Sequence, residues 1–493
     1  MESSMYGGAA AAREEELPHP FSMLMDFYEL TMSNGYLLSG FGEKTAYFDL
    51  FFRRVPDDGG FAIMAGLEQA VHYLSGLHFD DRDIAYLKNK GIFSQEFLDY
   101  LRNFRFRCDV WAVPEGTPIF PYEPLMTVRG PVMQAQMLET MLLLSINHQS
   151  LIATKSNRIV RAAQGRPVME FGSRRAQGSD GALLGARAAY IGGCAGTACA
   201  MADRDYGVPA LGTMAHSWVQ MFPTELDSFK RYAELYPGNC VLLVDTYNVL
   251  KSGVPNAIRA FNEVLAPKGI RPAGVRIDSG DIAYLSRRTR AMLDAAGYPD
   301  CGIVISNALD EYLIRDLLVQ GACINSFGVG ERLITSRSEP VFGGVYKLAA
   351  VEEDGKITPK IKLSENIEKI TNPGFKTLWR LYDNENRKAI ADVITLADET
   401  VDDTRPYEIF DPDHTWKRKT LTNFTARRLQ ERIFKDGRCV YPLPTLEQVR
   451  TYCADEIGGL WDEVTRFENP HRYYVDLSRP LWELKHRLLE QYQ

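Results

Sequence analysis

Val168-Met-Glu-Phe171, Pro209-Ala-Leu-Gly-Thr213, Val241-Leu-Leu-Val-Asp245, Gly274-Val-Arg-Ile-Asp278, Gly302-Ile-Val-Ile-Ser306 and Cys323-Ile-Asn-Ser-Phe327 punctuate the stretch from Val168 to Glu331, with helix-length segments between them. Each run has the length and the apolar or β-branched content of a parallel strand buried on both faces. Each then gives way to polar or glycine-rich residues: Gly172-Ser-Arg-Arg175, His216-Ser217, Asp245-Thr-Tyr247, Asp278-Ser-Gly-Asp281, Ser306-Asn307 and Gly328-Val-Gly330. In a β/α barrel the C-terminal ends of the strands converge on one face, and that face holds the chemistry. A doubly wound open sheet would gather the same residues less tightly, at a switch point. The reading adopted is the barrel.

The rest of the chain sets bounds. At 493 residues it is too long for one core and implies two or three domains. With 45% hydrophobic and 24% charged residues it has an ordinary globular composition. A net charge of -8 argues against a nucleic-acid footprint, though not against a local basic pocket. The 8 cysteines lack close pairing and read as reduced core thiols; Cys194 and Cys199 have no His or Cys partner at metal-ligand spacing. Met1 to Glu16 has no apolar core and mostly acidic charge, unlike a secretory or transit peptide. No apolar run approaches the roughly 20 residues of a membrane-spanning helix. The expected location is cytoplasmic.

Four regions follow: a disordered tail at 1–19, an N-terminal α+β domain at 20–150, the barrel at 151–365, and a C-terminal region at 366–493 that packs back on the N-terminal domain. Met25–Leu38 reads as a helix and Thr45–Arg53 as a strand with alternating faces. Ser94 is placed to cap a helix running to Phe104, and Met133–Ala163 reads as one long helix. Thr224 and Asp310 are further cap candidates, and Gly344–Val351 and Ile357–Leu363 are strand-like. Leu446–Phe467 reads as a charged helix.

At the barrel mouth, Arg174 and Arg175 follow a buried strand and precede glycine turns, which suits an anion, since a guanidinium offers carboxylate or phosphate two parallel hydrogen bonds. His216 lies among small residues that permit close ligand approach; it is open as base, nucleophile or plain structural donor. Asp245, Asp278 and Asp281 have two readings, helix caps or carboxylates for a ribose, a hydrated Mg²⁺ or a developing cation. Arg276 lies inside a strand and needs a partner there, so it is read as facing ligand. Gly328-Val-Gly330 is a backbone cradle for phosphate, and Lys347 of Gly343-Gly-Val-Tyr-Lys347 either joins the same anion or merely follows a hairpin turn. This set fits transfer chemistry on a phosphorylated sugar. No lysine stands at the six strand ends, which argues against a Schiff-base aldolase or lyase.

Asp26-Phe-Tyr-Glu-Leu-Thr-Met32, Phe51-Phe-Arg-Arg54, Glu170-Phe-Gly-Ser-Arg-Arg-Ala-Gln-Gly178, Gly212-Thr-Met-Ala-His-Ser217, Leu243-Val-Asp-Thr-Tyr247, Val275-Arg-Ile-Asp-Ser-Gly-Asp281 and Gly343-Gly-Val-Tyr-Lys-Leu348 resemble, in order, the nicotinate phosphoribosyltransferase family. The resemblance runs from about Leu24 to Leu396. It implies an irregular TIM-like α/β barrel of the type II phosphoribosyltransferases, beside a second α+β domain built from N- and C-terminal segments. It also implies a homodimer with shared active sites. The implied reaction joins nicotinate and 5-phosphoribosyl 1-pyrophosphate to give nicotinate mononucleotide and pyrophosphate, with coupled ATP hydrolysis and Mg²⁺, in NAD salvage.

By the same resemblance His216 is the phosphorylated residue, with Ser217 beside it, and Asp245 faces the base and the anomeric carbon. Arg276 and Thr213 contact nicotinate, Phe171 stacks on one face of its ring, and Tyr28 of the partner subunit stacks on the other. Arg174 lies by the carboxylate or the ribose phosphate, Asp278 binds ribose, and Gly328 and Gly330 bind the 5-phosphate. Arg54 reaches in from the partner subunit. The chain departs from many relatives at Glu331, where they carry Thr; a carboxylate cannot donate to phosphate, so only backbone contact carries over. The alternatives implied are a nicotinamide-using relative and a catalytically silent metabolite binder.

Overall fold

The structure is a computed structural model and describes residues 21–491; the tail expected at 1–19 lies outside them. Six short parallel strands form the central sheet: β1 (Val168–Glu170), β2 (Gly196–Thr197), β3 (Val241–Leu243), β4 (Gly274–Ile277), β5 (Gly302–Asn307) and β6 (Ser326–Val329). Their spatial order is β2-β1-β6-β5-β4-β3, so the last strand pairs with the first and each other neighbour is consecutive in the chain. A doubly wound sheet would run outward from a reversal point instead. The order is cyclic, as in a barrel. Leu242, Val275, Ile277, Ile303, Ile305, Phe327 and Val329 are all fully buried in one apolar cluster with the surrounding helices, which is why these strands read as unbroken apolar runs.

One expected strand is replaced by another. Pro209–Thr213 forms no ladder: Ala210 makes a single parallel bridge to Thr197, with Thr197 N donating to Pro209 O at 3.0 Å and Leu211 N to Thr197 O at 2.8 Å. Proline has no N–H to give a ladder, and Gly212 adds no side chain to pack. Beside it β2 forms from Gly196-Thr197, inside a small-residue segment without an apolar signal. The Cys323 run also shifts three residues onward, to Ser326–Val329. The barrel is therefore irregular, with a seam between the Pro209 segment and β3.

A second, all-antiparallel sheet carries the other domain, in the order Lys356–Pro359, Val345–Glu353, Thr45–Phe51, Met126–Pro131, Asp109–Ala112, Glu431–Lys435, Arg438–Cys439. The barrel boundary expected at 365 is too late. Val345–Glu353 pairs with Thr45–Phe51 from Phe51↔Val345 to Thr45↔Glu352, so the chain leaves the barrel after the short helix Glu331–Ile334. Thr45–Phe51 is also buried on both faces, not on one. Residues beyond 375 build a four-stranded sheet of Phe424–Arg428, Lys376–Asp383, Ala389–Leu396 and Val475–Leu477, and Leu378, Ile394 and Leu477 share a core with Leu50 and Val110.

The helix expected over Met25–Leu38 runs over Phe27–Leu38, with Asp26 and Glu29 forming a capping box at its start. Ser94, Thr224 and Asp310 cap their helices through Phe97 N, Asp227 N and Leu313 N. The long helix expected from Met133 is interrupted at Met137-Leu138 and resumes as Glu139–Ala162. It joins the two bodies: Leu142 and Ile146 pack in the first domain, Ile152 and Ile159 in the barrel. The charged helix Leu446–Gly458 stops short of Phe467, and Asp462–Thr465 follows separately. Among the described residues no helix is long and apolar enough to cross a membrane.

Candidate active site

The mouth of the barrel is organised by Arg276. Strand alternation sends Val275 and Ile277 into the apolar core and turns Arg276 the other way. A cation there must be met by acceptors. Its Nε donates to Ser306 Oγ at 2.8 Å, Nη1 to Thr213 Oγ1 at 3.1 Å and Met214 O at 3.4 Å, and Nη2 to Asp278 Oδ1 at 3.4 Å. The guanidinium carbon also lies 5.8 Å from the centre of the Phe171 ring. The seam is thus bridged by side chains where the backbone ladder is missing.

His216, Asp245 and Asp278 meet beside it. His216 opens a short helix, His216–Gln220, and its Nδ1 lies 3.1 Å from Thr246 Oγ1. Its Nε2 is 4.0 Å from Asp245 Oδ1 and 3.9 Å from Asp278 Oδ2. The imidazole is 41% exposed while the Asp245 side chain is 1% exposed. Asp245 Oδ2 accepts from Asp278 N at 3.0 Å and from Ser279 Oγ at 2.6 Å, whereas its Oδ1 is buried with no hydrogen-bond partner. Asp278 also accepts from the Ser306 hydroxyl. Asp281 keeps the plainer of its two readings, capping the next helix through Tyr284 N at 2.8 Å.

The other end of the mouth is made by β1 and β6, which pair. A Cβ added at Gly328 would stand 2.5 Å from the Phe171 ring, and one at Gly172 would stand 2.7 Å from Gly330 O, so both glycines allow backbone and ring to pack closely. Glu170 fixes this corner: it is fully buried, accepts from Thr197 Oγ1 at 2.6 Å and from Gly172 N, and burial pushes its carboxyl up against those bonds. Arg175, Gln177, Glu331, Thr335, Arg337 and Pro340 line a pocket outside the glycines. Glu331 pairs there with Arg337 at 3.3 Å.

Of the residues singled out in the sequence, Phe171, Thr213, His216, Asp245, Arg276, Asp278, Gly328, Gly330 and Glu331 come to this face. Arg174 and Ser217 are exposed at its rim. Lys347 does not join an anion pocket; its Nζ is taken by Tyr346 O at 2.8 Å and Glu139 Oε1 at 3.4 Å, and Gly343-Gly344 forms no hairpin turn but the irregular loop that enters the strand Val345–Glu353. Tyr28 lies in the first domain, its phenol held up by burial and by Glu139. Arg54 pairs with Asp58 at 3.1 Å and with Glu339 of its own chain. Sequence reading missed Ser306, Thr246, Ser279 and Arg337. Ser306 had a signal, as the polar last residue of an apolar strand; the others are polar loop residues among many.

Among the described residues no group of three or more His, Cys, Asp or Glu side chains is arranged to hold a metal ion. A hydrated Mg²⁺ needs less, one or two carboxylates plus substrate phosphates. The unpartnered Asp245 Oδ1 and the half-exposed Asp278 meet that requirement.

Comparison with known proteins gives the family. Residues 23–147 match the nicotinate phosphoribosyltransferase N-terminal domain and residues 375–485 match the C-terminal domain of the same family. The chain is 43% identical over 464 residues to nicotinate phosphoribosyltransferase of Bacillus subtilis (strain 168), covering 94% of each chain. It is 32% identical over 523 residues to the Homo sapiens protein of that name, covering 94% of this chain and 96% of that one. The crystal structure of human nicotinic acid phosphoribosyltransferase superposes with a TM-score of 0.83 at 30% identity, over 94% of this chain and 99% of that chain. The chain belongs to the nicotinate phosphoribosyltransferase family.

Proposed function

We propose that this chain joins nicotinate to 5-phosphoribosyl 1-pyrophosphate, forming nicotinate mononucleotide and pyrophosphate, and couples the transfer to ATP hydrolysis through phosphorylation of His216. The observation that carries it is Arg276, held by Ser306, Thr213 and Asp278 beside the Phe171 ring, at a mouth where Asp245 keeps one buried carboxylate oxygen unpartnered. Family membership supports the reaction; this arrangement supports the roles.

Ser306, Thr213, Met214 and Asp278 hold Arg276 through four of its five N–H donors, and the remaining Nη2 N–H, with the positive charge, is offered to the nicotinate carboxylate. An amide offers no anionic pair of oxygens, which selects acid over amide. Phe171 orients the pyridine ring. As pyrophosphate leaves, the anomeric carbon gains positive charge, and Asp245 Oδ1 is the buried carboxylate free to stabilise it. Asp245 and Asp278 would hold Mg²⁺, which would supply charge compensation for a pyrophosphate leaving group. His216 Nε2 lies 4.0 Å from Asp245 Oδ1 and 3.9 Å from Asp278 Oδ2, so a phosphoryl group carried there would tighten the site only with the charge of those carboxylates compensated.

The active unit in this reading is a homodimer in the cytoplasm, Tyr28 and Arg54 being delivered to the partner's mouth. The exposed apolar side chains Phe27, Tyr28, Met32, Leu38 and Phe41 support a covered face there.

Pyrophosphate release, followed with nicotinate and nicotinamide in competition and with or without ATP, tests the reading. Release that requires nicotinate and rises with ATP supports it. Preference for nicotinamide would make the chain an amide-using relative, and binding without release would make it a silent metabolite binder.

A further inference from the structure

Lys155 lies in the middle of the helix Glu139–Ala162 and its side chain is only 2% exposed. Its ammonium has three protons to place, and burial makes each unmet one costly. Nζ is 3.0 Å from Asp57 Oδ2, 2.9 Å from Glu311 Oε1 and 2.8 Å from Ser338 Oγ. These partners come from separate parts of the fold: a first-domain turn, the start of the barrel helix Glu311–Val319, and the loop after the last barrel helix. Arg158 shares Glu311 at 2.9 Å, so two buried cations face the two carboxylates of Asp57 and Glu311. Apolar side chains in place of the whole network would avoid this desolvation, whereas losing Lys155 alone would leave Asp57 and Glu311 to one cation. Global stability alone does not call for a lysine here.

The loop gives the reason. Glu339 Oε2 accepts from Asp57 N at 2.7 Å, and its other oxygen pairs with Arg54. Ser336 is fully buried at a left-handed φ of 42°, its hydroxyl donating to Glu339 O at 2.9 Å. Between these anchors stands Arg337, which lines the pocket with Arg175, Gln177, Glu331 and Thr335 at the β1–β6 corner of the barrel mouth, its Nη1 paired with Glu331 Oε1 at 3.3 Å. Ser338, the residue adjoining it, is the one that Lys155 grips.

We infer that Lys155 is a positioning residue for the phosphate end of the site: by holding Ser338 it fixes the loop that presents Arg337 to the phosphoribosyl pyrophosphate. This rests on reading the mouth as a phosphoribosyltransferase site. Lys155 touches no substrate in this account; Arg337 does.

The test uses the full-length protein with Ser338→Ala, which cuts the loop contact and leaves both ion pairs of Lys155 intact, and with Lys155→Met and Lys155→Arg. Amide exchange across residues 335–339 is expected to quicken about tenfold in Ser338→Ala and Lys155→Met and to return toward wild type in Lys155→Arg. KM for phosphoribosyl pyrophosphate should rise about tenfold in the first two with KM for nicotinate unchanged, and Arg337→Ala should reproduce the kinetic change without the exchange change. Unaltered exchange in Ser338→Ala overturns the inference whatever the turnover shows, as do equal shifts in both KM values. A wild-type protein that transfers nothing from phosphoribosyl pyrophosphate would instead remove the functional reading, and the exchange result would still decide whether Lys155 sets the loop. Should Lys155→Met fail to fold, Ser338→Ala carries the decision.

Discussion

Asp278 holds Asp245 in place through its backbone: the Asp278 N–H donates to Asp245 Oδ2 at 3.0 Å, leaving Asp245 Oδ1 turned toward His216 Nε2 at 4.0 Å. The charge of Asp245 can therefore be removed without dismantling its surroundings. In Asp245→Asn the amide oxygen still accepts from Asp278 N and Ser279 Oγ. The expected result is a fall in kcat of about 100-fold or more with a melting temperature within a few degrees of wild type. Steady-state rates beside a thermal melt check it; a variant retaining most of its turnover would take the anomeric carbon away from Asp245.

For His216, alanine should abolish stimulation by ATP while some basal transfer persists. Rates measured with and without ATP decide this, and equal stimulation in mutant and wild type ends the phosphorylation role. Mapping an acid-labile phosphate after incubation with labelled ATP gives an independent answer.

Arg276→Lys retains the charge and loses the geometry, because an ammonium cannot bond Ser306, Thr213 and a carboxylate from one plane. KM for nicotinate is expected to rise about 100-fold, with discrimination against nicotinamide narrowing and KM for phosphoribosyl pyrophosphate little changed. Parallel rises in both KM values would mean that Arg276 only supports the barrel.

Gly328→Ala places a methyl group 2.5 Å from the Phe171 ring. The ring must move, at a cost of about 1–3 kcal/mol in stability. Nicotinate binding should weaken with it. Ring displacement is checked by the structure of the variant, and an unmoved ring with normal KM would refute stacking as its purpose.

Stability should fall as pH rises from about 4.5 to about 7. Burial is the main cause that pushes the Glu29 carboxyl up to about 7, against bonds from Thr140 and Asp26 N. In that window the folded chain keeps a proton that the unfolded chain has lost, so raising pH favours unfolding; the stabilisation is whole below the unfolded value and gone above the folded one. Asp476, also pushed up to about 7 by burial and by Asp411, acts with the same sign. Glu29→Gln should remove roughly half of the slope these two give, about 3 kcal/mol across the window, in denaturant titrations at several pH values. An unchanged slope would show that Glu29 is ionised in the folded state.

The barrel was legible because strands buried on both faces leave unbroken apolar runs, and Val241–Leu243, Gly274–Ile277 and Gly302–Asn307 stand where such runs do. The strand Gly196-Thr197 was not, since its place is set by backbone pairing to Met169 and Glu170 and no side-chain pattern marks it. The hairpin after the barrel was recognised as strands but given to the wrong body, because pairing partners some 300 residues away leave no local trace. Around Arg276 the charge within a strand announced a side chain that leaves the apolar core and needs polar partners. The serine and threonine that steady it are common loop chemistry, and only coordinates separate Ser306 from its many equivalents.

The side-chain bridge at the seam carries a warning for anyone altering the site. Where a ring is fastened by Arg276 gripping Thr213 and Met214 across a gap, the fastener and the group proposed to bind nicotinate are the same atoms. Substrate should then shield this enzyme from heat by closing its own container. A mutant that loses activity there has to be shown still shut before its chemistry is blamed.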